Sequence, residues 1–411
     1  MSVRKFLTVI SVLALVGAAC KGGGGGGTET AKGGTLTFGA ALSLTGSLAR
    51  EGILTKEGYE YFRKVINEKG GVKVGGKTYT LAIKYQDDRS TPDVAAQLVD
   101  QMNDAGIKFI LGPYGSASTQ AASAVVERNQ QLMVSTAGAD DKIYTQGYKY
   151  TFGVLSPASF YVASIVKAVA ELATPKPKTV AVLAADDGFS QTAAQAGAQE
   201  AQKQGMQVVA QETFPASATD LTAQITKIKP KKPDLVLSSG HLQDGIGVIK
   251  AAEELRLNPA GGFGETVAPP TPDFVQSLGK AAELVLGSSQ WSADVEGKDS
   301  YVGTAQDYAN GIKQMFGHDA EYHNAEATAG ALAMVLAIQR AGSLEPAAVR
   351  NAMASLDTMS FFGQIKFDGQ GKNVYKPMTV IQIQDGQAVT VWPKGPNSAT
   401  LQWPTPPFGQ R

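Results

Sequence analysis

Residues 71–78 match a phosphate-binding signature, and the chemistry that this signature would support is nucleotide hydrolysis. The sequence GVKVGGKT fits the pattern G-x-x-x-x-G-K-[ST], in which backbone N–H groups surround phosphates and the lysine reaches the terminal ones. Such a loop works only between a strand and the positive N-terminal end of the following helix. The elements that flank residues 71–78 therefore decide whether the match has a function.

These flanking elements occur in the reverse order. Upstream, residues 55–69 place Tyr59, Phe62 and Ile66 at three- and four-residue spacing, which predicts a helix. Downstream, residues 78–85 (TYTLAIKY) alternate apolar with small or polar side chains, which predicts a strand. The order helix, glycines, strand is not that of a phosphate-binding loop, so we interpret the glycines as turns.

Other catalytic and metal-binding patterns are weak. The stretch around Ser190 lacks the second glycine of a nucleophile elbow. His318 and His323 are five residues apart, a spacing that does not place two side chains on one helix face, and no cluster of acids or cysteines supports a metal site. The sequence therefore predicts a protein that is not an enzyme and that needs no metal or other cofactor.

Length and charge limit the class of protein further. A chain of 411 residues is long enough for two packed lobes. Lys and Arg together number 37, as do Asp and Glu, and there is no basic block. Because nucleic-acid binding depends on clustered positive charge, we expect no nucleic-acid partner.

The first twenty residues have the pattern of a secretory signal. Arg4 and Lys5 precede an apolar run that ends in small residues before Cys20, the only cysteine. Bacterial lipoprotein precursors are cut before such a cysteine, although Gly17 stands where leucine is usual; a buried free thiol is the alternative. The glycine-rich residues 21–33 would form a flexible tether of roughly 20 Å. We therefore expect an exported protein that is lipid-anchored to the bacterial membrane through Cys20.

Strands and helices alternate along the rest of the chain. One series of predicted elements begins at Gly34, and a second begins near Ser156. This alternation is typical of parallel sheets covered by helices, so the expected fold class is α/β with two similar lobes. The later part of the chain predicts helices at 299–316, 322–342 and 346–355, then an antiparallel pair of strands that turns at Asp385 and Gly386.

Loops beyond the carboxyl ends of the predicted strands are the expected ligand site, because ligands bind there in open α/β sheets. Residues 112–119 (GPYGSAST) enter a helix, so N–H groups and the hydroxyl of Ser116 or Ser118 could hold an anion; helix capping is the alternative. His241 and Glu265 have the ordinary alternatives of a solvated loop residue and a surface turn residue. The other candidate loops are 135–141 (STAGADD), 185–189 (ADDGF) and 239–243 (SGHLQ).

At these loops the chain resembles the solute-binding proteins of branched-chain amino acid ABC importers, the leucine/isoleucine/valine-binding type. The resemblance covers residues 34–393, and its motifs are LTGSLAREG, INEKGGVKVGGKTYTLAIKYQDD, GPYGSASTQAA, LMVSTAGA, AADDGFSQ, DAEYHNAEATAGALAMVLAI and FFGQIKFDGQG. It implies the type I periplasmic binding protein fold, in which two Rossmann-like lobes joined by three crossovers close over a small ligand. It also implies a monomer that passes its ligand to permease subunits.

The resemblance further implies domain limits and ligand-binding residues. The hydroxyl of Ser116 and the backbone near Ala137 and Gly138 would hold a carboxylate, and Glu265 would pair with an ammonium group. Lobe one would comprise residues 34–155 and 288–362, and lobe two residues 156–287 and 363–400, followed by a C-terminal tail at 401–411. Ala139 stands where the family has a threonine. Phe189 and His241 match aromatic positions of lobe two, and Glu51 matches an aromatic position of lobe one. Trp291 would be a wall of the site or part of the core.

A ligand-sensing module of a receptor or regulator is the alternative function, because the same fold serves in such proteins. Sensing modules usually carry a transmembrane or DNA-binding segment in the same chain. The sequence after Cys20 has no apolar run of eighteen residues and no basic domain. The prediction is therefore a solute-binding lipoprotein for an amino acid or a similar small polar molecule.

Overall fold

The computed structural model describes residues 31–411. Strands and helices alternate through most of this range, and they form two α/β lobes. The strands are β1 Ala31–Leu42, β2 Val72–Val74, β3 Lys77–Asp87, β4 Phe109–Leu111, β5 Leu132–Ser135, β6 Thr151–Gly153, β7 Thr179–Ala185, β8 Gln207–Phe214, β9 Leu235–Ser239, β10 Phe263–Glu265, β11 Leu286–Ser289, β12 Lys298–Asp299, β13 Gly303–Thr304, β14 Asp357–Ser360, β15 Gly363–Lys366, β16 Thr379–Gln384 and β17 Gln387–Trp392.

The helices lie mainly between consecutive strands, as the sequence pattern predicts. Their apolar faces pack on the sheets, and α10 is buried along most of its length between lobe-one elements. The helices are α1 Ala49–Glu68, α2 Pro92–Asp104, α3 Ser116–Asn129, α4 Tyr161–Leu172, α5 Gly188–Lys203, α6 Thr222–Ile228, α7 Leu242–Glu254, α8 Pro272–Leu278, α9 Ala305–Phe316, α10 Tyr322–Ala341 and α11 Pro346–Ala354.

Lobe one is built on a six-stranded sheet of order β2-β3-β1-β4-β5-β6. All neighbours pair in parallel except β2 and β3. The central strand β4 is apolar and fully buried (FIL), as expected for a parallel strand that is covered by helices on both faces. The carboxyl ends of β4 and β5 lead into the loops that contain Ser116 and Ala137.

Lobe two is built on a seven-stranded sheet of order β17-β16-β11-β10-β9-β7-β8. Strands β7 to β11 run parallel, and β16 and β17 add an antiparallel edge. The β16–β17 turn is the predicted one, with positive φ angles of 52° at Asp385 and 74° at Gly386. β11 spans the predicted domain limit at 287/288, because its residues 286–289 all pair with β16.

The phosphate-binding match forms a hairpin. β2 and β3 pair antiparallel, with Val74 opposite Lys77, and the two glycines between them have positive φ angles of 54° and 77°. Helix α1 precedes this hairpin, and a strand rather than a helix follows the signature lysine. The interpretation of residues 71–78 as a turn between a helix and a strand is therefore confirmed.

Two local predictions were wrong. The predicted helix 299–316 begins only at Ala305, because Asp299 and Gly303 first form a small hairpin and Thr304 caps the helix through its hydroxyl. Residues 31–33, predicted as the end of the tether, already belong to β1. Cys20 and the rest of the predicted tether lie outside the described residues.

Three chain segments meet where the lobes join. The backbone N–H of Ser156 donates to Gln290 Oε1 at 3.0 Å, and Gln290 Nε2 donates to the Ser156 carbonyl at 3.0 Å. The Ser156 hydroxyl donates to the Lys376 carbonyl at 2.8 Å. All three residues are buried, so these bonds tie the crossovers into one unit. Within residues 31–411 no single helix is long and apolar enough to cross a membrane; α10 and α11 pass such a test only together, bent by 110°.

Candidate functional site

A small cavity lies between the two sheets, at their carboxyl ends. Lobe one contributes the loops after β4 and β5 and the first turns of α10. Lobe two contributes α4, α5, the loop before α7 and the loop after β10. The lining residues from lobe one are Tyr114, Ser116, Ala137, Ala139, Tyr322, His323 and Glu326; those from the crossover and lobe two are Leu155, Tyr161, Phe189, His241 and Val267.

Ser116 is the first residue of α3, and its hydroxyl organises the neighbouring loop. Ser116 Oγ accepts hydrogen bonds from the backbone N–H groups of Ala139 and Asp140, each at 3.1 Å. Because a serine oxygen has two acceptor sites and one proton, these two bonds leave the O–H free to donate toward the cavity. The helix N-terminus adds a positive partial charge at the same place. This corner of the cavity suits a negatively charged or strongly accepting group.

Gly138 lets the loop after β5 pack closely on α3. A Cβ at this position would lie 2.5 Å from the side chain of Thr119, far inside contact distance. The Gly138 N–H and carbonyl both bond to the Ser135 hydroxyl, at 3.1 and 3.3 Å. The loop is therefore held close to the helix end, with Ala137 and Ala139 facing the cavity.

Aromatic rings form most of the cavity wall, and they come from both lobes. Tyr161 and Phe189 meet edge to face with centroids 5.1 Å apart, and Phe189 lies 5.7 Å from the His241 ring. From lobe one, the Tyr114 ring lies 5.9 Å from that of His241. Tyr322 completes the wall and stacks on the neighbouring His323 at 4.0 Å.

A chain of polar contacts crosses the cavity from one lobe to the other. Glu321 Oε2 lies 2.6 Å from His323 Nδ1, and His323 Nε2 lies 3.4 Å from the Tyr114 hydroxyl. The same hydroxyl lies 3.3 Å from His241 Nδ1 in lobe two. Burial raises the pKa of the Tyr114 phenol well above its ordinary value, so this hydroxyl stays protonated and available for hydrogen bonding.

Glu326 is an acid that faces this cavity from α10. Its side chain is buried, with a relative exposure of 1%, and its Oε2 atom has no hydrogen-bond partner within residues 31–411. Burial, and secondarily the nearby Glu321, raise the pKa of the Glu326 carboxyl well above its ordinary value. An unpartnered buried carboxyl is costly, so a ligand group that satisfied it would stabilise the bound state.

Glu265, the predicted partner of an ammonium group, lies beside the cavity lining. Its carboxyl is buried at the end of β10, and neither oxygen has a hydrogen-bond partner in the described part of the chain. Oε2 lies 2.5 Å from where a Cβ on Gly245 of α7 would be, so the carboxyl rests against that helix. Burial, and then Asp244, raise the pKa of Glu265 well above its ordinary value.

Glu51 and Trp291 occupy other places. Glu51 is buried on α1 and its Oε1 accepts a hydrogen bond at 3.2 Å from the backbone N–H of Leu242, the first residue of α7 in lobe two. Trp291 belongs to the core: its indole donates to the Phe361 carbonyl at 3.0 Å and meets Tyr308 edge to face. The structure thus brings Ser116, Ala137, Ala139, Phe189 and His241 together around one cavity, with Gly138 beneath them, and places Glu51, Glu265 and Trp291 outside its lining.

Several lining residues were not among the sequence-based candidates. Tyr114 stands in the predicted loop 112–119, and Tyr322, His323 and Glu326 stand at the start of a predicted helix. The signal for the α10 group was an aromatic–histidine pair followed by an acid one turn later, ahead of the apolar run at residues 329–338. Only the topology reveals that the N-terminal end of this helix reaches the cleft.

Other contacts also join the lobes beside the cavity. Arg50 on α1 pairs with Asp273 on α8 at 2.7 Å, and the Thr192 hydroxyl on α5 donates to Asp140 at 3.1 Å. A larger, open depression lies elsewhere, along the crossover segments near Met359 and Tyr375. We assign the ligand site to the inter-lobe cavity, because it lies at the carboxyl ends of both parallel sheets and combines a helix N-terminus, aromatic rings and an unpartnered acid.

Comparisons with known proteins agree with this fold. Residues 35–388 match the family model described as periplasmic binding protein. The Leu/Ile/Val-binding protein homolog 8 of Brucella abortus is 24% identical over 386 residues, covering 90% of this chain and 93% of the relative. The homolog 7 of Brucella suis is 23% identical over 416 residues, covering 98% and 100%.

Solved structures share the fold. A leucine-binding protein LivK from Thermotoga maritima superposes with a TM-score of 0.76 at 20% identity, covering 87% of this chain and 97% of that one. The substrate-binding protein LivJ from Streptococcus pneumoniae, in complex with isoleucine, superposes with a TM-score of 0.75 at 22% identity, covering 86% and 97%. The chain therefore belongs to the periplasmic binding protein family, a family of extracytoplasmic solute-binding proteins, and has its two-lobed type I fold.

Proposed function

We propose that this protein captures an amino acid or a similar small polar molecule between its lobes and delivers it to the permease of an ABC importer. The observation that carries the proposal is the inter-lobe cavity, whose wall combines a helix N-terminus, aromatic rings and an unpartnered acid. Relatives named as Leu/Ile/Val-binding proteins, and a structural neighbour named as a transporter's substrate-binding protein, support the transport role.

Ser116 and the loop that contains Ala137, Gly138 and Ala139 are proposed to hold the carboxylate of the ligand. The free proton of the Ser116 hydroxyl and the N-terminal end of α3 both favour a negative charge there. Phe189 and His241 would close over the ligand from lobe two. Glu265 stays the sequence-based prediction for the ammonium partner, and it competes with Glu326 for this role.

Binding is proposed to be coupled to closure of the lobes. Ligand contacts with both lobes favour the closed state, and the population shift is set by the difference in free energy of the ligand between open and closed states. The contacts Glu51–Leu242 and Arg50–Asp273 connect lobe-one helix α1 with helices α7 and α8 of lobe two. These contacts would stabilise the closed state in addition to the ligand itself. The crossover segments that are hydrogen-bonded to one another at Ser156, Gln290 and Lys376 would act as the hinge.

The protein is further proposed to act as a lipoprotein anchored through Cys20. The support is the sequence pattern of residues 1–20 alone. The glycine-rich and polar residues between Cys20 and Ala31 would connect the lipid anchor to the body, so that the body could meet a permease in the same membrane. Residues 31–411 would form the monomeric binding body, with lobe limits near those that the sequence predicts.

A thermal-shift screen tests the proposal. A ligand that binds only the native state raises its stability by RT ln(1 + [L]/Kd). The screen should contain the proteinogenic amino acids, small amides, carboxylates and quaternary amines. We expect at least one zwitterionic compound to raise the melting temperature, and a screen without any stabilising compound would contradict the proposed function.

A further inference from the structure

Glu326 is placed where a ligand would meet it. It lies one helical turn after Tyr322 and His323, on the stretch of α10 that faces the cavity. The side chain is almost fully buried, and Oε2 is without a hydrogen-bond partner in residues 31–411. Since buried polar atoms are otherwise paired in folded proteins, this atom points to a group supplied from outside.

The charges around the cavity favour a cation. The lining includes one acid and two histidines but no lysine or arginine. Lys376 is the basic group whose charge acts on Glu326, but Glu326 Oε2 makes no hydrogen bond with it in the described part of the chain. The Lys376 ammonium instead donates to the carbonyl and side-chain oxygens of Gln290 and lies over the Phe362 ring at 4.4 Å.

Aromatic rings surround the same space. Tyr114, Tyr161, Phe189 and Tyr322 all line the cavity. The face of an aromatic ring carries negative electrostatic potential, and several rings around one point form the kind of cage that binds ammonium and methylated ammonium groups. A purely aliphatic group would gain contact area from these rings, but it would leave the Glu326 carboxyl unpaired.

We propose that Glu326 and the surrounding aromatic rings bind the cationic group of the ligand, so that the protein selects small molecules carrying a primary or methylated ammonium. This inference rests on the proposed function and names the ligand class for the same cavity. The anionic end of a zwitterion would lie at Ser116 on the opposite side of the loop cluster. Glu326, rather than Glu265, would then be the residue that discriminates for charge.

Two pairs of probes isolate the contribution of the positive charge. Choline and 3,3-dimethyl-1-butanol have the same shape and differ in the quaternary nitrogen. L-leucine and 4-methylpentanoate differ in the ammonium group. Calorimetric titration of the full-length protein should show tighter binding of the charged member in at least one pair, by about tenfold or more.

Variants then assign that preference to Glu326. Glu326→Gln keeps the shape of the side chain and should weaken the charged probe on the order of a hundredfold, as when a buried ion pair loses one partner. Its melting temperature without ligand should not fall, because the change removes an unpartnered acid. Phe189→Leu should weaken the charged probe by a several-fold larger factor than its uncharged or deaminated counterpart, because only the charged probe also loses the cation–π interaction. Glu200→Gln, an acid on α5 away from the cavity, is the control and should leave binding unchanged.

Three outcomes would overturn the inference. The first is equal binding of both members in each pair, and the second is a preference for the cation that survives in Glu326→Gln. The third is a preference lost in Glu265→Gln but retained in Glu326→Gln, which would return the role to Glu265. In each case a ligand still binds, so the proposed function stands; only a screen and titrations without any binding would remove both.

Discussion

At the scale of single residues, the cavity combines two kinds of recognition. Ser116 offers a hydroxyl proton at a helix N-terminus, and Glu326 offers a carboxyl without a partner. The two groups lie on different elements of lobe one, α3 and α10, and both line the same cavity. The rings of Tyr161 and Phe189 from lobe two line this cavity as well.

Ser116→Ala should weaken binding of the ligand found by the screen. The change removes a hydrogen bond to a charged group, which is worth about 1.5–3 kcal/mol, and it also leaves the Ala139 and Asp140 N–H groups without their acceptor. Titration calorimetry measures the loss. Ser123→Ala is the matched control, because Ser123 is a buried serine on the same helix that bonds to the Thr119 carbonyl instead. Equal affinity of both variants would exclude Ser116 from the site.

The sequence predicted part of this site because loop position follows from element order. Ser116, Ala137 and Phe189 follow predicted strands, and topology brings such loops to one edge. Glu51 and Trp291 could not be placed in this way, since a helix residue and a crossover residue can face the cleft, the partner lobe or the core. Glu326 was missed because its helix, α10, follows helix α9 and not a strand of the parallel sheet.

At the scale of elements, helix α1 of lobe one contacts lobe two outside the cavity. Its first turn carries Arg50 and Glu51, which reach α8 and α7 of lobe two. The Glu51 carboxylate lies at the N-terminus of α7, where the unpaired N–H groups and the helix dipole favour a negative charge. This contact exists only while the lobes are together.

Glu51→Ala should shift the protein toward the open state. The Leu242 N–H would lose its acceptor and α7 its negative partner, so we expect ligand affinity to fall on the order of tenfold. Small-angle scattering should report a larger radius of gyration at subsaturating ligand. Glu68→Gln, in an exposed ion pair with Lys64 on the same helix, is the control. Unchanged affinity and radius in Glu51→Ala would show that α1 does not stabilise closure.

The crossovers contain a buried lysine with its own pH signature. Burial lowers the pKa of Lys376 from 10.5 to about 7. Between these two values the unfolded chain binds more protons at this site than the folded protein, so stability rises with pH. The folding stability that the folded protein has when Lys376 is neutral is therefore lost as the pH falls from 10.5 to about 7, by at most about 1.4 kcal/mol per pH unit.

Lys376→Met should remove this part of the pH dependence. Urea unfolding at several pH values between 7 and 10 should show that wild type gains free energy of unfolding relative to the variant as the pH rises. Lys73→Met, an exposed lysine on β2, should keep the wild-type dependence. A constant difference between wild type and Lys376→Met across this range would contradict the burial of a titrating lysine at the hinge.

Element types were largely predictable, because the alternation of strands and helices is a periodicity that the sequence carries directly. The turn at Asp385 and Gly386 and the hairpin at residues 71–78 were predictable from turn chemistry. The hairpins β12–β13 and β14–β15 were not, since their strands are as short as two to four residues. Such short segments contain too few residues for an alternation of apolar and polar side chains that would predict a strand.

At the scale of the whole molecule, two sheets joined by hydrogen-bonded crossovers make a hinged pair of lobes. The order of elements predicted the pair of lobes, and the family match confirms it. The pairing of strands within each sheet depends on long-range contacts, such as that of β11 with β16, and no local sequence pattern specifies these contacts. The same limit applies to the contacts between the lobes.

Cys20→Ala should release the protein from the membrane or block its processing. The prediction follows from the signal pattern that ends at Cys20, whose thiol would carry the lipid. Fractionation and mass measurement of the mature chain provide the test, and residues 31–411 should unfold at an unchanged temperature. An unaltered location and mass would exclude the lipid anchor.

Hydrogen–deuterium exchange with and without the ligand tests the central claim most directly. A molecule bound between the lobes should protect backbone amides in both lobes together: residues 112–119 and 135–141 in lobe one, and residues 239–246 in lobe two. Protection confined to one lobe, or to the depression along the crossover segments near Met359 and Tyr375, would contradict a ligand site in the inter-lobe cavity.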